Sequence, residues 1–247
     1  MRRIRLGEDE LQGMNKRRFQ RAVLLTGFIG LLLVGGYGLW LFQTQRHQYA
    51  LNRQLIAALR QGNHQQALVL VKSGADPNTP ERPIPPPTIR QLWNHLFHRS
   101  PLPTNDSPTA FLIACGESWT IDEDDPQLVQ TMLQHGAQKN AMSGGWTPLI
   151  RSVFADRSKT VEVLLQSGVD VNAQERNGYT ALVYSLMLGS TRQPSDYSRD
   201  ANIVHQLLSH GANRNLPDRY GVTPLQEAQQ CNRPDLLALL KQDGAKK

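Results

Sequence analysis

The residues that could do chemistry are few and scattered. The densest acidic run is Asp122-Glu123-Asp124-Asp125. A calcium loop needs oxygen ligands at alternate positions and a glycine at its sharp turn, and this run has neither. Asp125 followed by Pro126 reads instead as the cap and first residue of a helix over 127–135. The carboxylate accepts an open amide of the first turn, and Pro is tolerated where its missing N–H would have no partner. The seven histidines show no metal-ligand spacing. His95 and His98 could share one helix face, and together with Asp106 they are the only candidates for a hydrolytic or redox site. The nucleophile-elbow, zinc-protease, Walker and dinucleotide glycine patterns are all absent. No catalytic, cofactor or metal residue is therefore assigned, and no enzyme and no cofactor are expected.

The elements that would position any site follow a repeating frame. Thr147, Thr180 and Thr223 each open a Thr-Pro/Ala-Leu step, and Gly168, Gly211 and Gly244 each follow a leucine-rich run. Thr147 to Thr180 is 33 residues, and so is Gly211 to Gly244. Pro148 and Pro224 suit a first helical turn, with the preceding Thr as its cap. Val161, Leu164 and Leu165 in one copy match Val204, Leu207 and Leu208 in the next, and Leu236, Leu237, Leu239 and Leu240 in the last. Spacing of i, i+3, i+4 puts them on one helical stripe. The closing glycines fit a left-handed cap. Asp170-Val171-Asn172 and Asn213-Arg214-Asn215 read as extended fingers, and Gly178 and Gly221 turn the chain back.

This period and wording resemble the ankyrin repeat. Two weaker copies lie upstream, over 107–140 with an excess of six residues around 117–125, and over 53–78 without the Thr-Pro-Leu. The copy from Thr180 carries ten extra residues near 190–199. The fold expected is all-α: an ankyrin-repeat solenoid of about five helix-turn-helix repeats behind a single N-terminal transmembrane helix. The family's usual His after Thr-Pro-Leu is replaced by Leu112, Ile150, Val183 and Gln226. That removes the basis for the usual hydrogen bonding between loops but leaves the apolar stacking intact. In such a stack Cys115 and Cys231 lie three layers apart, beyond the roughly 7 Å that a disulfide spans between Cα atoms, so each is expected as a buried small residue.

Residues 1–21 form a basic tail, expected to be cytoplasmic, which holds +4 of the whole chain's +6. The sequence pI near 9.5 thus reports the flank of an apolar segment, and nucleic acid is not an expected partner. Residues 22–42 contain no charged side chain. At about 1.5 Å per residue they would span roughly 30 Å of hydrocarbon, with Tyr37 and Trp40 at the interface. An uncleaved signal anchor is expected, with a cleaved signal peptide as its rival. Flanking positives put the N-terminus in the cytoplasm and the repeats across the membrane, which in a bacterium is the periplasm; cytoplasm-facing repeats are the alternative. Ala22, Thr26 and Gly30 form a small-residue row that could support weak homo-association.

Residues 43–78 read as a juxtamembrane helix and degenerate first repeat. Residues 79–106 read as a Pro-rich insertion, and 107–247 as repeats two to five. Within the insertion, Ile89, Leu92, Trp93, Leu96 and Phe97 fall at amphipathic helical spacing. The segment is read as covering the first repeats, touching membrane, or binding a partner.

What the resemblance implies is protein binding through finger tips and the first-helix face. On that surface the expected anchors are Trp146, Arg176, Tyr179, Arg219 and Tyr220, with Trp93 and Phe97 from the insertion. Exposed aromatics and arginines are the usual interface anchors. For Trp146 and Tyr179, packing against the adjacent finger is the competing reading. The function expected is a membrane-tethered interaction module for an envelope or periplasmic protein. The alternatives are an immunity or inhibitor protein neutralising a toxin, and, behind that, an enzyme with a site in 79–106.

Overall fold

The structure, a computed structural model, describes residues 40, 43–82, 107–117, 124–191, 197–230 and 233–242. The chain divides into two compact units, residues 1–47 and 48–247. In the first, residues 43–47 are helical and the Thr44 hydroxyl donates to the Trp40 carbonyl at 2.7 Å. The expected transmembrane segment, 22–42, lies outside the described residues apart from Trp40. Among the described residues no helix is long and apolar enough to cross a membrane.

The second unit is all-helical among its described residues, with two isolated bridges and no strand. Its helices come in five pairs: α1 (residues 48–60) with α2 (His64–Lys72); α3 (Ala110–Leu112) with α4 (Pro126–Gln134); α5 (Pro148–Phe154) with α6 (Ser158–Gln166); α7 (Ala181–Thr191) with α8 (Tyr197–Ser209); and α9 (Pro224–Gln230) with α10 (Pro234–Gln242). The first helices α3, α5, α7 and α9 pack in sequence against one another, and the second helices α2, α4, α6, α8 and α10 form a parallel layer.

Local chemistry sets each boundary. The hydroxyls of Thr109, Thr147, Thr180 and Thr223 accept from the amides of Leu112, Ile150, Val183 and Gln226 at 3.2–3.3 Å, so four first helices start on the same cap. Four second helices stop at Gly74, Gly136, Gly168 and Gly211, with φ between +73° and +98°. Gly244 lies outside the described residues.

Between the layers, Leu149, Leu182, Val161, Leu164, Val204, Leu207, Leu236 and Leu240 are at most 1 % exposed, while Leu225, Leu237 and Leu239 are partly buried. Each fully buried Leu or Val is worth about 1.5–3 kcal/mol against exposure, which no short isolated helix could supply by propensity alone. Cys115 is fully buried in this core, as expected; Cys231 lies outside the described residues.

In the fourth pair, α7 has 11 residues and α8 has 13, against 7 in α5 and 9 in α6, so the extra chain lengthens both helices. Residues 83–106 of the Pro-rich stretch lie outside the described residues, and the chain segments on either side of them pair with each other. The Phe111 amide donates to the Pro77 carbonyl at 2.9 Å, and the Leu225 amide donates to the Arg214 carbonyl at 3.2 Å. Pro77 and Arg214 each stand three residues past a closing glycine, Gly74 and Gly211, so the two bonds are equivalent. Residues 79–82 and 107–110 therefore form one hairpin base, closed by Ala110 N–H to Thr79 O (2.7 Å) and Glu81 N–H to Pro108 O (2.6 Å).

The segments read as extended fingers are turns. The carboxylate of Asp170 accepts from the Asn172 amide (3.0 Å), and the Asn213 side chain accepts from the Asn215 amide (2.9 Å). The hairpins come a few residues later. Bonding between loops runs through asparagines. Asn78 donates to the Gly136 carbonyl and accepts from the Gln138 amide, Asn140 accepts from the Asp170 amide, and Asn172 donates to the Gly211 carbonyl and accepts from the Asn213 amide, all at 2.7–3.2 Å.

Candidate protein interface

The first helices bring a set of aromatic rings to one face. Trp146 precedes the α5 cap, Phe154 ends α5, Tyr184 is the fourth residue of α7, and Tyr179 precedes the α7 cap. The centroid of the Trp146 ring lies 5.0 Å from those of Phe154 and Tyr184, with interplanar angles of 88° and 40°. Phe154 and Tyr184 are 6.2 Å apart, and Tyr179 and Tyr184 5.8 Å, both edge-to-face. Edge-to-face pairs at these distances add about 0.5–1.5 kcal/mol each beyond simple burial. The cluster spans two repeats and is not sealed: Phe154 is 41 % exposed, and the other three are partly so.

Acids hold the hairpins beside it. The Glu175 carboxylate is buried and accepts from the amides of Asn177 (2.7 Å) and Tyr179 (3.2 Å). Asp218 does the same one finger on, accepting from Tyr220 (2.8 Å) and Val222 (2.9 Å). Burial, with the negative charge of Glu175 and the neighbouring Tyr179, pushes the Tyr184 hydroxyl up to about 12. Burial first, then Asp218, Tyr220, Glu227 and Glu175, raises Tyr179. Both phenols therefore stay neutral at ordinary pH and can only donate or accept hydrogen bonds.

The expected anchors divide into two groups. Trp146 and Tyr179 are part of the packed cluster. Arg176, Arg219 and Tyr220 are exposed, Tyr220 at 72 %. The Arg176 stem lies over the tip of the preceding finger: a methyl on Gly145 would come within 2.8 Å of its Cγ. The Arg219 amide donates to the Asn177 carbonyl at 2.8 Å, and a methyl on Gly178 would come within 2.7 Å of the Arg219 nitrogen. Trp93 and Phe97 lie outside the described residues, as do His95, His98 and Asp106.

Sequence reasoning did not single out Phe154 and Tyr184. Their only signal was an aromatic at first-helix positions where the last repeat carries Gln230 and Glu227, a contrast visible only once the helices are aligned.

The two described residues of the acidic run, Asp124 and Asp125, both cap helices. Asp125 accepts from the Leu128 amide (3.0 Å) and meets His64 Nδ1 at 3.1 Å; Asp124 accepts from the amides of Lys159 and Thr160. Among the described residues no group of three or more His, Cys, Asp and Glu could hold a metal ion.

A family profile described as ankyrin repeats in three copies matches this chain over residues 88–175 and 119–196. The chain is 36 % identical over 74 residues to the 2-5A-dependent ribonuclease of Homo sapiens, covering 29 % of this chain and 10 % of that protein. It is 30 % identical over 120 residues to ankyrin repeat protein FPV031 of Fowlpox virus (46 % and 33 %), and 30 % identical over 141 residues to ankyrin repeat protein YahD of Escherichia coli (55 % and 63 %). The chain thus spans between a tenth and just under two thirds of the length of these relatives. Capped helix pairs, hairpins between them and these likenesses agree, and the repeats matched over residues 88–196 are ankyrin repeats.

Proposed function

We propose that this protein is an interaction module that binds another protein across the aromatic face of repeats three and four. Ankyrin repeats indicate a protein-binding role. The observation that carries the assignment to this face is the part-exposed cluster of Trp146, Phe154, Tyr184 and Tyr179, continued by Tyr220 at 72 % exposure. Large rigid rings expose apolar area at little entropic cost and dominate interface energetics. Trp146 packs against both Phe154 and Tyr184, while Phe154 and Tyr220, the two most exposed of these rings, offer the contact edges.

The finer reading is that the module is tethered to a membrane by residues 22–42, with the N-terminus cytoplasmic and the repeats on the far side. Its partner is then a protein of that compartment. The uncharged stretch of 21 residues and the seven Lys and Arg that precede it support this reading. Reporter fusions at both termini test it: opposite compartments are expected, and the same compartment for both refutes it.

Affinity purification of the tagged full chain from detergent-solubilised membranes, with quantitative mass spectrometry, tests the face. Substituting Phe154→Ala and Tyr220→Ala together is expected to remove the specific partner while lowering the thermal transition by only several degrees, the cost of the two lost ring contacts of Phe154. Unchanged recovery would refute the assignment.

A further inference from the structure

We propose that the finger edge of repeats three and four docks an extended acidic segment of the partner, with Arg176 and Arg219 as its two anion contacts. The inference rests on the reading above that this side of the stack binds protein. It adds the chemistry of what is bound.

Arg176 and Arg219 occupy the same place in successive fingers. Each directly follows the acid that ties its hairpin, Glu175 or Asp218, and each lies against the glycine of the finger before, Gly145 or Gly178. Both are exposed. The adjacent carboxylates are turned onto backbone amides: Glu175 accepts from Asn177 and Tyr179, and Asp218 from Tyr220 and Val222. The anions that would otherwise pair with these guanidinium groups are thus committed to holding turns. Stacking leaves the two arginines one repeat apart along the finger edge.

Packed helix layers repeat at roughly 10 Å, and an extended chain in the polyproline II conformation advances about 3.1 Å per residue with about three residues per turn, so side chains three apart share a face. Two carboxylates three residues apart on an extended segment therefore match the two guanidinium groups, which can each take a carboxylate through paired N–H donors. Tyr220, next to Arg219, offers an apolar surface to a side chain between the two acids. The segment that fits is Asp/Glu-x-x-Asp/Glu, with an apolar residue between.

The test uses the full chain in detergent and fluorescently labelled synthetic peptides. One peptide carries two glutamates three apart around a leucine, an isomer carries the glutamates adjacent, and a third replaces glutamate by lysine. The expected result is saturable binding of the first peptide that weakens with added salt, and weaker binding of the isomer. Arg176→Ala with Arg219→Ala should weaken it about tenfold or more, the loss expected of two charge-assisted contacts. Arg176→Glu with Arg219→Glu should transfer the preference to the lysine peptide. Both positions are exposed, so circular dichroism should report an unchanged fold. Equal binding of all peptides, preference for a single-stranded oligonucleotide, or indifference to both arginine pairs overturns the proposal. If arginine substitutions have no effect while Phe154→Ala abolishes partner recovery, the acidic-segment assignment fails and the aromatic face stands.

Discussion

The Asp124 carboxylate caps a helix that belongs to the next repeat: its Oδ1 accepts from the Thr160 amide at 3.1 Å and from the Thr160 hydroxyl at 2.6 Å. Helix α6 has no side-chain cap of its own, since Arg157 stands at the cap position and makes no such bond. Arg157 is instead buried, and its Nη1 donates to the Ala114 carbonyl of the preceding repeat at 2.7 Å. Neighbouring repeats thus share polar ties as well as apolar surface. Removing a cap costs about 0.5–2 kcal/mol. Asp124→Ala is expected to lower the unfolding free energy by that amount, read as a lower urea midpoint at unchanged slope, and hydrogen exchange should locate the loosening at the start of α6.

Arg233 makes the corresponding tie at the last interface. It meets Asp200 at 3.2 Å, with both side chains 3 % exposed, and Asp235 at 2.7 Å. Breaking a buried pair by removing one partner typically costs about 3–5 kcal/mol, because the remaining charge stays buried. Asp200→Ala should therefore unfold the last repeat at lower denaturant than the rest, seen as a separate early transition.

The same arginine gives a pH signature. The hydrogen bond from Arg233 holds the Asp235 carboxyl below its usual value of 3.8. A depressed carboxylate contributes stability that is present above the unfolded value and is lost as pH falls through the folded one. Acid titration should show a loss below about pH 3.8 that Asp235→Asn removes. Asp235 is 44 % exposed on its side chain, so solvent screening keeps this contribution small.

Burial pushes the Cys115 thiol up from 9.0 to about 12, with Arg157, Ser152 and Arg151 opposing. A raised acid favours the folded state while neutral, so its contribution is lost as pH rises from 9 towards 12. Alkylation resolved by peptide mapping should leave Cys115 unmodified in the folded chain and modify it only on unfolding. Rapid labelling of Cys115 under native conditions would contradict the buried position.

Gly116 sits at φ +133°, and a methyl there would lie 2.7 Å from Ala155 Cβ and 2.9 Å from the Arg151 carbonyl. Gly74, at φ +98°, has open space around it. Gly116→Ala should cost several times more than Gly74→Ala, for which about 1 kcal/mol of backbone strain is expected. Paired thermal melts of the two variants decide this.

The parts of the fold that repeat were legible from the residues alone. Thr147 and Thr223 announce caps, Gly168 and Gly211 announce helix ends, and Leu164 and Leu207 mark the buried stripe, because each is a local requirement that recurs. Ties between repeats were not legible. Nothing near Asp124 in sequence indicates that its partner is Thr160, 36 residues on, and Asn78, Asn140 and Asn172 take over loop bonding where the family's usual histidine is missing. The pairing of residues 79–82 with 107–110 was hidden for the same reason: only the equivalence of the Pro77 and Arg214 carbonyls shows that they form a hairpin base. On the candidate face, Trp146 and Tyr220 were visible as unusual residues, whereas Phe154 and Tyr184 became meaningful only when stacking set them against Trp146.

The account turns on the open aromatic face of repeats three and four being the contact surface. Quantitative partner recovery from the full-length chain, compared between the native sequence and Phe154→Ala with Tyr220→Ala at a temperature where both are folded, measures this most directly. The account predicts loss of the partner with the fold intact; recovery at the native level would contradict it.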